Sequence, residues 1–186
     1  WRRLATATTS GSGRGFASVP VLPSVALRSP SLRSGSLRPT DGSALLFGHD
    51  AFTDAARIHR NVAYLGSDPG FLGELTSAQQ LDYLAALRGL PRRCWQQLAE
   101  RLELDPTVRI RKLSRGNRQK IGVVAAFMGH EPLLVLDEPT SGLDPLMQRE
   151  FLALLAEARE AGRTVFLSSH NLVEVERACD RVAIIR

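Results

Sequence analysis

Two adjacent acids at the end of an apolar run form the first group of side chains suited to chemistry. The stretch VLDEPTSGLDP covers residues 135–145 and contains Asp137 and Glu138. A carboxylate such as Asp137 is the hard oxygen ligand that Mg²⁺ prefers, and Glu138 could orient or deprotonate an attacking water. Acids at a strand end are also often merely solvated or capping groups. The tight turn PTSGLD, which brings a third acid, Asp144, next to the pair, favours a site.

Two further stretches have residue types that could bind an anion. KLSRGNRQK (112–120) precedes a predicted helix, and a hydroxyl and free N–H groups at a helix start attract anions. Ser114, Gly116 and Gln119 are therefore candidates for phosphate binding, although an ordinary N-cap would explain Ser114 alone. LSSH (167–170) ends a second apolar run in His170, which could bond a phosphate or the attacking water. A lone histidine is more often structural.

The elements that position these side chains follow from the hydrophobic pattern. Continuous apolar runs predict strands buried on both faces, and apolar residues at helical spacing predict helices between them. Alternation of the two types predicts an α/β fold with a parallel sheet. In such a sheet, ligands bind beyond the carboxyl ends of the strands, where Glu138 and His170 lie. The predicted strands are 43–48, 61–66, 133–137, 164–169 and 181–185, and the predicted helices are 77–90, 91–102, 117–128, 145–161 and one opening after Asn171.

Local signals predict how several helices begin and end. Ser77 is the predicted N-cap of the helix 77–90, and Pro91 suits the first turn of the next helix. Asp144 followed by Pro145 predicts another N-cap, with Gly162 ending that helix. Asn171 with Glu174 three residues later predicts a variant of the capping box, in which side chains at both positions bond the backbone.

Composition excludes several classes of protein. The chain has 186 residues, 44% of them hydrophobic and 23% charged, as in a globular domain. No apolar run is long enough to cross a bilayer, and the two cysteines, Cys94 and Cys179, have no metal-ligand spacing. The net charge of +5 comes from the six arginines of residues 1–40, which contain no acid; the rest has 18 basic and 19 acidic residues. The charge therefore does not indicate nucleic-acid binding by the folded part.

Residues 1–37 differ in composition from the remainder. They are rich in Ser, Arg, Gly and Pro, without a helical or alternating period. A transit peptide, a disordered linker and a segment that is not native coding sequence all fit this composition. We expect an irregular, non-native or disordered segment over 1–37 and a partial folded domain over 38–186, incomplete at both ends.

The order and spacing of the motifs resemble the nucleotide-binding domain of ABC transporters. The resemblance covers residues 38–186 and rests on RPTDGSALLFGHD, LSRGNRQ (the signature motif), LLVLDEP (Walker B), SGLD and the strand ending in His170. Among ABC proteins, the sequence is most similar to the ATPase subunits of ABC-2 type exporters of drugs, antibiotics or polysaccharides. The resemblance implies a P-loop NTPase-like sheet core with a helical subdomain over about 69–105.

The resemblance also implies roles for the candidate residues, with ATP and Mg²⁺ as cofactors. Asp137 would hold Mg²⁺, Glu138 would be the catalytic base, and His170 would contact the γ-phosphate. Asp144 would lie in a loop that communicates across a dimer. Ser114, Gly116 and Gln119 would contact nucleotide bound on the partner subunit.

Two family features are missing from the sequence. The P-loop, G-x-x-x-x-G-K-[ST], does not occur, and the only lysines are Lys112 and Lys120. The segment GSGRG (11–15) lacks the lysine and does not follow a predicted strand. Relatives often carry glutamine after the strand that corresponds to 61–66, where this sequence has Gly66, Ser67 and Asp68. Asp68 is therefore only a weak candidate for contact with the metal or the water.

The expected function is ATP binding and hydrolysis that drives export. The expected partners are separate transmembrane permease subunits and a second ABC ATPase domain, in a homodimer or heterodimer, at the cytoplasmic face of the cell membrane, without nucleic acid. Without a P-loop, the chain is expected to be an inactive fragment when alone. One alternative is a catalytically degenerate partner that lends its signature motif to an intact ATPase subunit. A binding module that shares only the motifs is another.

Overall fold

Five strands form the main sheet of the computed structural model, which describes residues 3–8, 45–51 and 53–185. The strand order is β4-β5-β6-β1-β7. β4, β5 and β6 run parallel, whereas β1 lies antiparallel between β6 and β7. The predicted α/β fold with a parallel sheet is therefore confirmed, with one antiparallel strand added. The strands are β1 (Arg3–Thr8), β4 (Val62–Leu65), β5 (Leu133–Asp137), β6 (Thr164–Ser169) and β7 (Val182–Ile185).

The added strand falls within the stretch that was predicted to be irregular. Most of residues 1–37, including GSGRG, lies outside the described residues, but Arg3–Thr8 pairs with strands on both sides. Its pairing is entirely with residues more than 150 positions away in the sequence. Local periodicity carries no information about such pairing, and this is why the strand was not predicted.

Helices pack on the sheet through long apolar stripes. The helices are α1 (Ala55–Ile58), α2 (Ser77–Leu87), α3 (Gln96–Arg101), α4 (Arg115–Phe127), α5 (Pro145–Glu160) and α6 (Leu172–Ala178). Buried side chains of α5 recur at helical spacing and pack beside β6, where alternate residues are buried. The rings of Phe127 on α4 and Phe151 on α5 meet edge to face, with centroids 6.1 Å apart. Helices α2 and α3 pack against α4.

Three predicted element boundaries were wrong. The strand 43–48 is replaced by a hairpin of β2 (Leu45–Leu46) and β3 (His49–Asp50), because Phe47 and Gly48 both adopt positive φ and reverse the chain. Thr76, not Ser77, caps α2, in a full capping box with Gln79. The helix predicted from Pro91 begins only at Gln96, after the left-handed Arg93 at φ 61°.

The remaining helix ends follow the sequence signals closely. Asp144 caps α5 and Pro145 is its first residue, while Gly162 adopts a φ of 80° just beyond its end.

Within the described residues, no helix is long and apolar enough to cross a membrane.

Candidate active site

The carboxyl ends of β5 and β6 bring the two predicted catalytic side chains into contact. In the parallel pairing, Asp137 lies opposite Ser168. Glu138 and His170 follow these residues, and Glu138 Oε2 lies 2.6 Å from His170 Nδ1. The side chain of Glu138 is 18% exposed, whereas that of His170 is 74% exposed. The pair therefore lies at the surface with its carboxylate partly sheltered.

Glu138 has a backbone conformation that an L-residue rarely adopts. Its φ is 51°, in the left-handed region, which costs on the order of 1–3 kcal/mol and persists only when neighbouring groups hold it. Its N–H donates to the Ser168 carbonyl at 2.9 Å, and its carbonyl accepts from the Ser141 N–H at 3.1 Å. The strand thus ends sharply at Glu138, and the turn of residues 138–142 begins there.

Gln119 supports the same turn from α4. Its side chain is 3% exposed, and Nε2 donates to the carbonyl oxygens of Glu138 at 3.2 Å and Pro139 at 2.9 Å. Gln119 was predicted to bind phosphate, but its described contacts lie within the chain. They hold the backbone of the predicted catalytic base.

Asp137 provides the oxygen ligand expected of a magnesium site. It is half-buried at the end of β5, and its Oδ1 accepts a hydrogen bond from the Ser168 hydroxyl. No cluster of three or more His, Cys, Asp or Glu side chains suited to a metal occurs in the described part of the chain. Mg²⁺ commonly binds through one or two carboxylates, substrate phosphates and waters, so a single carboxylate here fits that ion.

The start of α4 packs directly on the turn of residues 138–142. The Ser114 hydroxyl caps the helix by accepting from the Asn117 N–H at 3.2 Å, and Ser114 is exposed. A Cβ added to Gly116 would lie 2.3 Å from the Gly142 carbonyl oxygen, so the two backbones are in close contact. Arg115 Nη2 donates to Ser141 Oγ at 2.9 Å. The predicted anion-binding helix and the predicted catalytic turn are therefore adjacent.

The two remaining predicted acids are exposed. Asp144 Oδ1 accepts from the N–H groups of Leu146 and Met147, both at 3.0 Å, and the hydrogen bond from Met147 is the main factor that lowers the Asp144 pKa. Asp68 lies in a bend after β4, at the same edge of the sheet as Asp137, and makes no hydrogen bond to another described residue of the site.

The buried carboxylate of Glu174 lies below Glu138 and His170 and was not predicted as part of the site. Glu174 was expected to bond the start of α6, but Asn171 Oδ1 alone accepts from the N–H groups of Val173 and Glu174. The Glu174 carboxylate instead accepts from Thr140 Oγ1 and Ser169 Oγ. The capping-box prediction was therefore wrong in its second half. The only signal of this cluster in the sequence is the position of two hydroxyl side chains. Thr140 lies two residues after Glu138, and Ser169 lies one residue before His170.

The family model described as "AAA domain, putative AbiEii toxin, Type IV TA system" matches residues 25–176 of the chain. The match includes helix α4, the turn of residues 138–142 and His170. The chain belongs to this AAA domain family. Its curated relatives include ABC transporter ATP-binding proteins, and the predicted resemblance is confirmed.

Two of these relatives show the extent of the similarity. The bacitracin transport ATP-binding protein BcrA of Bacillus licheniformis is 34% identical over 157 residues, which cover 81% of this chain and 51% of BcrA. The phospholipid-transporting ATPase ABCA3 of Homo sapiens is 32% identical over 152 residues, covering 78% of this chain and 9% of ABCA3. The chain thus spans about half the length of BcrA and a small part of ABCA3.

Solved structures confirm the fold of the family. The ATP-binding subunit of an ABC transporter has a TM-score of 0.72 and 29% identity, covering 81% of this chain and 65% of that one. The dimeric ATP-binding cassette MJ0796 bound to ADP and Pi has a TM-score of 0.71 and 16% identity, covering 84% of this chain and 78% of that one. The chain therefore has the fold of ABC transporter ATPase subunits.

Proposed function

We propose that this chain is a fragment of the ATP-hydrolysing domain of an ABC exporter, inactive alone because it lacks the P-loop, and that Glu138 and His170 are its hydrolytic pair. The observation that carries the proposal is the 2.6 Å contact between Glu138 Oε2 and His170 Nδ1 beside Asp137. It supports a hydrolytic role because a carboxylate and an imidazole at one strand edge can activate a water and bind the phosphate that it attacks.

The chemistry assigns one task to each side chain. Glu138 accepts a proton from water as the water oxygen attacks the γ-phosphorus, and the bond to the β-phosphate oxygen breaks to give ADP and phosphate. The Nδ1–H of His170 donates to Glu138, and when the ring carries both protons its Nε2–H can donate to a γ-phosphate oxygen. Asp137 would hold Mg²⁺, which supplies positive charge to the phosphates.

A second ATPase domain would complete the site. Ser114 and Arg115, at the start of α4, are exposed, which suits contact with nucleotide held by another copy or a related subunit. MJ0796 forms a dimer of this fold. We further propose separate membrane subunits as the transport partners, since BcrA and ABCA3 act in transport by name.

The missing P-loop motif supports a second candidate function. The 186 residues contain no G-x-x-x-x-G-K-[ST] sequence, whose backbone N–H groups and lysine cradle phosphates. The predicted signature motif, by contrast, lies at the start of α4, which Ser114 caps. We therefore propose as an alternative that the chain lends this helix to an intact subunit and is inactive alone.

Calorimetric titration with ATP and Mg²⁺ tests the proposal. The chain is compared with a version that has a P-loop strand, loop and helix inserted before Arg38. Binding by the inserted version alone supports the proposed function and the inactivity of the unaltered chain. Binding by the unaltered chain would contradict the argument from the missing lysine. No binding by either version would contradict the proposed ATPase function.

A further inference from the structure

Glu174 is a buried charged group that the proposed hydrolysis does not use. Its side chain lies on α6, and the residue is 5% exposed. Oε2 accepts from Thr140 Oγ1 at 2.9 Å and from Ser169 Oγ at 2.7 Å, and these two residues are 9% and 2% exposed. Hydrogen bonds to an ionised carboxylate are stronger than those between neutral groups.

The two hydroxyls belong to the two segments that carry the catalytic pair. Thr140 lies two residues after Glu138, in the turn that follows β5, and Ser169 immediately precedes His170 at the end of β6. Ser169 Oγ also accepts the Asn171 N–H at 3.0 Å, so the segment is fixed on both sides of His170. One oxygen atom of Glu174 thus joins both segments beneath the pair.

The pair needs such support because its own contact is exposed. His170 is 74% exposed, and a hydrogen bond at the surface competes with water and holds a side chain weakly. Burial of the carboxylate, by comparison, is unfavourable, and it raises the Glu174 pKa. Oε1 is also buried and has no hydrogen-bond partner among the described residues. Because burying this carboxylate is unfavourable, its presence is better explained by a role in positioning other residues than by a contribution to the stability of the fold.

We propose that Glu174 is a positioning residue that keeps Glu138 and His170 in register by bonding Thr140 and Ser169 with one carboxylate oxygen. The catalytic part of this inference rests on the proposed function. The placement of Glu138 against His170 is itself a property of the folded chain and does not require ATP hydrolysis. A Gln side chain keeps an acceptor oxygen at the same position, so the role predicts that Gln, but not Ala, replaces Glu174.

The test measures the ring-nitrogen chemical shifts of His170 by NMR, in protein whose histidines are labelled with ¹⁵N. The chain has four histidines, and a His170→Gln variant assigns the signal. A Glu138→Ala variant gives the ring-nitrogen shifts of His170 without the Glu138 contact. Glu174→Ala is expected to move the His170 signal towards that position, while Glu174→Gln leaves it close to wild type. Thr140→Val, which removes one of the two bonds, is expected to move it in the same direction.

A remote variant separates positioning from general loss of stability. Asp82 accepts from Trp95 Nε1 at 2.8 Å between α2 and the turn before α3, so Asp82→Ala also removes a hydrogen-bonded carboxylate. It is expected to lower the unfolding midpoint without moving the His170 signal. An unchanged signal in Glu174→Ala, or an equal shift in Glu174→Gln, would overturn the proposal. If Glu174→Ala does not fold, Thr140→Val decides in the same way. Failure of ATP binding in the calorimetric test would instead refute the proposed function and leave this result standing.

Discussion

Gly116→Ala should destabilise the fold through one close backbone contact. The added Cβ would lie 2.3 Å from the Gly142 carbonyl oxygen, a separation at which one backbone must move. The Gly142 oxygen belongs to the turn of residues 138–142, which Gln119 and Ser168 also hold. The clash therefore cannot be relieved by rotation of a side chain.

The expected loss is the difference between two opposing effects. Overpacking costs about 1–3 kcal/mol, and Ala gains about 1 kcal/mol over Gly inside a helix. The net loss in the free energy of unfolding should thus reach about 2 kcal/mol. Each kcal/mol lowers the melting temperature by about 2–4 °C in a domain of this size. The melting temperature should fall by several degrees.

Gly122→Ala is the matched control because it lies in the same helix. Its Cβ would meet Leu65 Cδ1 at 2.4 Å, and the end of a leucine side chain can rotate away. Thermal and urea unfolding of both variants measures the difference. The account predicts a larger loss for Gly116→Ala. An unfolding free energy for Gly116→Ala that equals or exceeds wild type would refute the close packing of α4 on the turn.

Three further substitutions test contacts around the site by urea unfolding. Gln119→Leu leaves the Pro139 carbonyl without its described donor and should lower the free energy of unfolding by about 1–3 kcal/mol. Gln119→Met also lacks a donor and should lower it by a similar amount. Ser114→Ala removes the hydroxyl that accepts from the Asn117 N–H and should lower the free energy of unfolding by about 1 kcal/mol. Ser114→Thr keeps a hydroxyl and should retain most of the wild-type stability. The Glu174 pKa is raised by burial, so its ionisation favours the unfolded state and wild-type stability falls as pH rises through the folded pKa. Glu174→Gln should therefore gain stability relative to wild type as pH rises from the ordinary glutamate pKa through the raised pKa of Glu174, and a difference that does not change with pH would contradict the raised pKa.

Residues with local signals were predictable from the sequence. Asp144-Pro145 defined the start of α5, and the apolar runs located β5 and β6, because a strand buried on both faces needs continuous apolar residues. The placement of Glu138 and His170 at the same edge of the sheet also followed from the sequence, although their contact did not. Parallel strands end at one edge, so residues just beyond two neighbouring strands meet there.

Residues whose role depends on distant partners were not predictable. Glu174 has the spacing of a capping residue, yet its carboxylate bonds Thr140, which is 34 positions away. Arg93 delays the start of α3 through a left-handed conformation for which its residue type gives no warning. Gln119 looked like a surface ligand because its motif precedes a helix. Gln119 is buried because α4 packs against the turn of residues 138–142, a contact that the local sequence does not indicate.

Hydrolysis of ATP under single-turnover conditions tests the central claim most directly. The chain with an inserted P-loop is compared with its Glu138→Gln and His170→Ala variants, with binding of ATP measured beside each rate. The account predicts that Glu138→Gln binds ATP and Mg²⁺ with affinity close to that of the parent but hydrolyses it about 10²–10⁴-fold more slowly, the usual contribution of a general base. His170→Ala should also be slower. Hydrolysis by Glu138→Gln at the rate of its parent would contradict the assignment of the catalytic pair.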